Sequence, residues 1–292
     1  MDSIYLRWWG CGAFDILFGD INIAIDPYLF GDNLENAKPI YDYIFISHEH
    51  FDHCHPDTLR KLCQGDRFKK LYVNVGCLTP KEPINESYNG ASFARDLPID
   101  QHIPADRIQV IYPKYRTDNE RSFPGPFEVD LGSVHVEAVE SGENIDPMLP
   151  TCGYLFTHKA KEVSIYHMGD LHAVYPALEN LRGRVDFVVH MKLGFQDWSI
   201  LDPFVDYVEP RFLIPTHYRT DRKSDPIPEG HWPPNIDDPA AFIEEIREQI
   251  GDRTRILPFT AGVQYEVELP AKRIHWRWQW VNTWTTPPPW AE

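Results

Sequence analysis

The chain lacks several things, and each absence removes a class of explanation. No Cys-x-x-C pair occurs, and the cysteines are five in number: Cys11, Cys54, Cys63, Cys77 and Cys152. An odd set without paired spacing excludes a disulfide framework as the basis of the fold and suits a reducing compartment. Basic residues are in deficit, 28 Lys and Arg against 44 Asp and Glu, for a net charge of −16. A general nucleic-acid binder needs a basic face to neutralise phosphates, so a nucleic-acid polymer is not the expected partner. There is no long apolar run and no basic stretch leading into one near Met1, so neither a signal peptide nor a membrane span is expected, and a cytoplasmic location is the default. No tandem repeat and no linker-like stretch divides the chain. What is present is apolar content of 42%, enough for one large core in 292 residues.

The most informative stretch is Ile44-Phe45-Ile46-Ser47-His48-Glu49-His50-Phe51-Asp52-His53. Tyr43 to Ile46 reads as a buried strand. Three histidines and an aspartate follow within six positions. His48 and His50 are two residues apart, so in extended backbone they face the same side and can converge on one ion. Asp52 and His53 come where the chain turns towards the next helix, which places them for a second ion beside the first. A solvated histidine-rich loop is the plain alternative, but the strand-end position and the mixed nitrogen and oxygen donors favour metal binding.

This H-x-H-x-D-H loop resembles the signature of the metallo-β-lactamase superfamily. The resemblance implies an α/β fold, a four-layered αββα sandwich of two mixed sheets with outer helices. It also implies a one- or two-metal site at one edge.

The rest of the chain alternates strands and helices as such a sandwich requires. Ile4–Trp9, Ala13–Phe18 and Ile21–Ile25 read as a meander broken by Gly10-Cys11-Gly12 and Gly19-Asp20. It closes at Asp26-Pro27, where Asp26 is either a turn former or a carboxylate that steadies the metal loop. His55–Leu62 reads as a helix, with Pro56 and Asp57 as N-terminal signals. Leu71–Val75 is a strand, and 78–106 is a long Pro- and Asn-rich loop. Arg107–Tyr112, Phe127–Leu131 and Val134–Val139 are expected to begin a second sheet. Cys152–Phe156, Val163–His167, Asp186–His190 and Arg211–His217 continue as strands, with helical stretches at Tyr175–Leu181 and Ile200–Val208. Pro239–Ile250 is the clearest amphipathic helix, and two more strands follow it. Residues 1–270 are read as the metallo-β-lactamase-like domain. Residues 271–292 are a Trp-rich strand and tail, in which Ile274, Trp276, Trp278 and Trp280 share one face. That face suits packing on a sheet or a subunit contact, so a homo-oligomer is possible.

Two further ligands follow from the resemblance. Asp170, in Tyr166-His167-Met168-Gly169-Asp170, matches the superfamily's strand-Gly-Asp, whose carboxylate touches both metals. His217 ends an apolar strand and matches the last histidine. The usual third histidine is missing, since Val136 to Glu143 contains none; a carboxylate, Glu143 or Glu140, is the substitute. Ile165 to His172, Cys152 to Phe156 and Leu213 to His217 are similar to segments of the L-ascorbate-6-phosphate lactonase branch.

The expected metal set is therefore His48, His50, Asp52, His53, Asp170, His217 and Glu143, holding two divalent ions, zinc or manganese with iron possible. Asp52 and Asp170 are the catalytic carboxylates. His172, Lys192 and Arg219 lie next to these motifs and suit contacts to an anionic group. The implied chemistry is metal-activated water opening a lactone or ester in a small anionic molecule. Hydrolysis of a small or cyclic nucleotide phosphodiester, or a non-catalytic metal-binding scaffold, are the alternatives.

Overall fold

The computed structural model describes residues 4–29, 34–35, 37–50, 52–78, 103–116, 122–141, 151–171, 173–191, 200–217, 239–259, 261–268 and 273–279. Side chains of 239–243 and 273–279 are outside this description. Two mixed sheets face each other. The first has eight strands in the order β15-β14-β1-β2-β3-β4-β5-β6. These are β1 (Ile4–Gly10), β2 (Ala13–Leu17), β3 (Asn22–Ile25), β4 (Tyr43–Phe45), β5 (Lys70–Val73), β6 (Ile108–Val110), β14 (Gln264–Glu268) and β15 (Arg273–Gln279). The second has seven in the order β13-β12-β11-β10-β9-β8-β7. They are β7 (Glu128–Asp130), β8 (Val134–Glu140), β9 (Cys152–His158), β10 (Val163–His167), β11 (Phe187–Met191), β12 (Phe212–Thr216) and β13 (Arg255–Ile256).

Side-chain alternation builds the layers. Ile4, Leu6 and Trp8 of β1 and Phe45 of β4 enter the core between the sheets, with Val136, Phe156 and Ile165 of the second sheet. Trp9, Ile44 and Ile46 point the other way and pack with Leu59 and Leu62 of helix α1 (Pro56–Leu62). On the far side, α2 (Leu201–Val208) and α3 (Pro239–Ile250) contribute Leu201, Phe204, Ile246 and Ile250 to the core. Helix, sheet, sheet and helices make the expected four-layered α/β arrangement.

The Tyr175–Leu181 stretch is a 3-10 helix, Pro176–Leu181. One expectation needs correction. The strand read at Arg107–Tyr112 does not open the second sheet. As β6 it pairs in parallel with β5 at the edge of the first, Leu71 opposite Ile108. The partners are 37 residues apart, a non-local pairing that local sequence does not encode. β15 pairs antiparallel with β14, so the Trp-rich segment joins the first sheet through its backbone; its indoles lie outside the described side chains. All five cysteines are free and buried. Among the described residues no helix is long and apolar enough to cross a membrane.

Candidate metal centre

Topology sets the site. β1 is antiparallel to β2, β2 is antiparallel to β3, and β4 is parallel to β3. The C-terminal ends of β1, β3 and β4 therefore meet at one edge. They deliver Cys11, Asp26 and the loop Ser47–His53 to it. In the second sheet β10, β11 and β12 are parallel neighbours, and their C-terminal ends deliver Asp170 after β10 and His217 after β12. A crevice outside the carboxyl ends of parallel strands is the usual ligand position in α/β sheets.

The donors converge there. His53 Nε2 lies 3.2 Å from Asp170 Oδ1 and 3.8 Å from Asp52 Oδ2. His217 Nε2 lies 3.3 Å from Asp52 Oδ2, 3.6 Å from Asp170 Oδ1 and 3.2 Å from His53 Nε2. His48 Nε2 lies 3.6 Å from Asp170 Oδ2, and the His50 ring stands edge-on to the His48 ring at 4.4 Å. Two groups result, in each of which every ligand atom is within 4.8 Å of the others: Cys11, Asp52, His53 and His217, and His48, His53 and Asp170. Asp170 Oδ1 lies close to both the His53 and His217 nitrogens.

Asp26 holds the loop in position. Its Oδ1 accepts the Ser47 backbone N–H at 2.7 Å. Its Oδ2 accepts the Ser47 hydroxyl at 2.6 Å and meets His53 Nδ1 at 2.8 Å. A carboxylate oxygen can only accept, so His53 Nδ1 carries the proton and donates. The Ser47 hydroxyl has spent its one proton on Asp26, so the 2.8 Å contact from His48 Nδ1 to Ser47 Oγ is donated by the imidazole. Both rings therefore turn an Nε2 towards the cluster, the orientation that outer partners give metal-binding histidines. The carboxylate role weighed for Asp26 fits this geometry. His167 ties the outer turns together, donating from Nε2 to Gly12 O at 2.9 Å and accepting the Gly169 N–H at Nδ1, 3.4 Å away.

Backbone strain concentrates here. Cys11, Asp26 and His217 have φ of 47°, 46° and 61°, a region that costs non-glycine residues about 1–3 kcal/mol and clusters at functional sites. Gly12 is needed for space, because a Cβ there would stand 2.7 Å from His53 Cε1. Gly169, at φ 58°, precedes Asp170, and a Cβ on it would press on Ser47 Cβ at 3.1 Å.

The electrostatics suit cation binding. Burial, and then the neighbouring His53 and His50, hold His48 well below its ordinary pKa, so it is neutral. Burial would raise Asp170 and Asp52, but His53 and His217 outweigh it and both carboxylates lie below their ordinary range. Burial would likewise lower His53, yet Asp170, Asp52 and Asp26 raise it well above 6.5. His48 Nε2 and Asp170 Oδ1 are buried and have no hydrogen-bond partner among the described residues. A buried orphan such as His48 Nε2 is costly, and a divalent ion satisfies it while giving Asp170 Oδ1 a partner beyond its ion pair with His53. The residues fit a metal centre.

Not every expected residue can be placed. Glu143, His172, Lys192 and Arg219 lie outside the described residues. Glu140 is half-buried at the end of β8 and belongs to neither donor group among the described residues. Ser141, next in line, is buried and donates to Thr151 Oγ1 at 2.8 Å. Cys11 was not expected. Its thiol donates to Asp52 Oδ2 at 3.2 Å, and its carbonyl accepts the His217 N–H at 3.0 Å. No local signal in the sequence marks it, since its place beside Asp52 comes from β1 running parallel to the metal-loop strand.

Comparison with known proteins agrees with this geometry. A UPF0173 metal-dependent hydrolase of Pyrococcus furiosus is 26% identical over 263 residues, 85% of this chain and 93% of that protein. A UPF0173 metal-dependent hydrolase of Saccharolobus solfataricus is 26% identical over 231 residues, 74% and 84% of the two chains. The solved structure of Igni18, a novel metallo hydrolase from Ignicoccus hospitalis, matches with a TM-score of 0.58 at 16% identity, covering 92% of this chain and all of that one; at that identity it shows the fold alone. The model of the beta-lactamase superfamily domain matches residues 5–217, well over half the chain, and the protein belongs to that family.

Proposed function

We propose that the protein is a metal-dependent hydrolase that opens a lactone or ester in a small anionic substrate. The observation that carries the reading is the convergence of His48, Asp52, His53, Asp170 and His217 at one buried edge, where His48 Nε2 has no hydrogen-bond partner among the described residues. The curated relatives named above are called metal-dependent hydrolases, which supports the same class. A divalent metal held there would supply acidified water as nucleophile and polarise the substrate oxygen.

The chain's own residues do the rest. Asp26, through Ser47 and the His53 Nδ1–H, fixes the tautomers of His48 and His53. Asp170 lies beside His48, His53 and His217 and supplies negative charge to both donor groups. Asp52, beside His53 and His217, is placed to orient water and to pass a proton to the leaving oxygen. Anionic substrate is inferred from chain position. Lys192 directly follows β11, whose end lies between those of β10 and β12, and His172 and Arg219 follow Asp170 and His217 by two residues each. The similarity to the ascorbate-phosphate lactonase branch makes a phosphorylated sugar lactone the first compound to try.

The test is a panel of lactones, carboxylic esters, phosphomonoesters and phosphodiesters, each with Zn²⁺, Mn²⁺ and Fe²⁺. The expected result is metal-dependent opening of an anionic lactone or ester that chelator abolishes. Turnover confined to phosphodiesters overturns the substrate class, and no turnover with any metal overturns the hydrolase reading.

A further inference from the structure

We propose that Cys11 is itself a metal ligand, so that the second donor group is a thiolate-containing site formed by Cys11, Asp52, His53 and His217. This rests on the metal-centre reading and goes further, because it gives the two halves of the centre different chemistry.

The geometry is that of a coordination shell. Nitrogen and oxygen ligands at roughly 2.0–2.1 Å from a tetrahedral ion stand about 3.3–3.4 Å from one another, and a sulfur at roughly 2.3 Å stands about 3.5 Å from either. The corresponding separations are 3.2 Å for His53 Nε2 to His217 Nε2 and 3.3 Å for His217 Nε2 to Asp52 Oδ2. They are 3.8 Å for His53 Nε2 to Asp52 Oδ2 and 3.2 Å for Cys11 Sγ to Asp52 Oδ2. All four atoms are mutually within 4.8 Å, and all four residues are buried. A second observation points to a cation independently of the cysteine. Asp170 Oδ1, buried, faces this group from 3.2 Å at His53 Nε2 and 3.6 Å at His217 Nε2, so a second carboxylate converges on the same donors. The turn also fits the role. Gly12 leaves room for the His53 ring, and the Cys11 carbonyl anchors the His217 N–H, so one turn positions three of the four ligands.

Binding is a simple exchange. The Cys11 S–H bond breaks, its proton leaves to solvent, and the sulfur lone pair forms the bond to the divalent ion; no oxidation occurs. Thiolate is a soft donor that selects zinc over manganese or magnesium. The site with Cys11 is therefore the zinc-retaining half. The other half, around His48 and Asp170, lacks sulfur and is the exchangeable one.

Cobalt(II) substitution tests this without reference to turnover. Full-length protein stripped of metal is titrated with Co²⁺ and followed by absorption. The expected spectrum has visible d–d bands from cobalt binding and a near-ultraviolet thiolate-to-cobalt charge-transfer band. Cys11→Ser should keep the d–d bands, lose the charge-transfer band, and bind the tighter cobalt at least about tenfold more weakly. Cys11→Gly is the second variant, since glycine accepts the φ of 47° without strain, and it should behave likewise. A wild-type spectrum with d–d bands and no charge-transfer band, or a charge-transfer band that survives both substitutions, overturns the assignment of Cys11 while leaving the metal centre standing. Absence of any cobalt binding overturns the metal centre as well.

Discussion

Replacing Asp26 with asparagine isolates the part of the site that holds the ligands without touching metal. The side chain keeps its shape, and asparagine tolerates the left-handed backbone at φ 46° at least as well as aspartate. What changes is the hydrogen-bond sense. With its carbonyl on the Ser47 N–H, the new amide presents N–H groups to Ser47 Oγ and His53 Nδ1, which both donate in the native protein. Ser47 Oγ must then donate to His48 Nδ1, and His53 Nδ1 must accept, so both rings move their proton to Nε2, the atom needed by the metal. Flipped the other way, the amide leaves the buried Ser47 N–H unsatisfied, at about 1–3 kcal/mol. Losing an outer partner of a metal-binding histidine typically costs about 10–100-fold in metal affinity, which is roughly 1.4–2.7 kcal/mol. Competition for Zn²⁺ against a chromogenic chelator measures the affinity, and urea unfolding of metal-free protein measures the stability. The expected result is a drop in affinity within that range and a loss of about 1–3 kcal/mol. If Asp26 were only a turn former, zinc affinity would be unchanged, and that outcome would refute the tautomer argument.

Three further outcomes are expected. Asp170→Asn should retain the wild-type circular dichroism and unfolding midpoint within a few degrees, yet lose about a hundredfold in hydrolysis of whichever substrate the panel finds, on the scale of one preorganised charge; near-normal turnover at saturating metal would rule out its central role. Gly12→Ala drives a methyl to 2.7 Å from the His53 ring, and should cost about 1–3 kcal/mol in stability and weaken metal binding, whereas a neutral result would mean that the ring is free to move. His55 caps α1, accepting the Thr58 N–H, and burial lowers its pKa to about 4 from 6.5. The unfolded chain therefore takes up this proton first, and stability is full above pH 6.5 and falls as pH drops towards 4. At pH 4.5 the loss is about 2–3 kcal/mol. His55→Asn keeps a cap that does not titrate, and should shrink the pH 7 to pH 4.5 stability difference by about that amount; an unchanged difference would contradict the shift.

Much of this was legible in the chain itself. The two-residue spacing of His48 and His50 marks them locally as candidate ligands, and Asp170 and His217 were reached through the family resemblance of the strand ends they follow. The unbroken apolar run from Tyr43 to Ile46 foretold a strand buried on both faces. Cys11 was not legible, since a cysteine in a tight turn has no local mark. Its meaning comes from β1 running parallel to β4 with two strands between them, which carries its sulfur to Asp52 across 41 positions. The place of β6 was hidden for the same reason. An edge strand paired with β5 looks, residue by residue, like the start of a new sheet.

The central claim is that this edge is a metal centre. Metal analysis of purified protein, beside the His48→Ala/His50→Ala double variant, addresses it most directly. One to two divalent ions per wild-type chain and the loss of at least one in the double variant are predicted. A metal-free wild type, or an unchanged metal content in a folded double variant, would contradict the account.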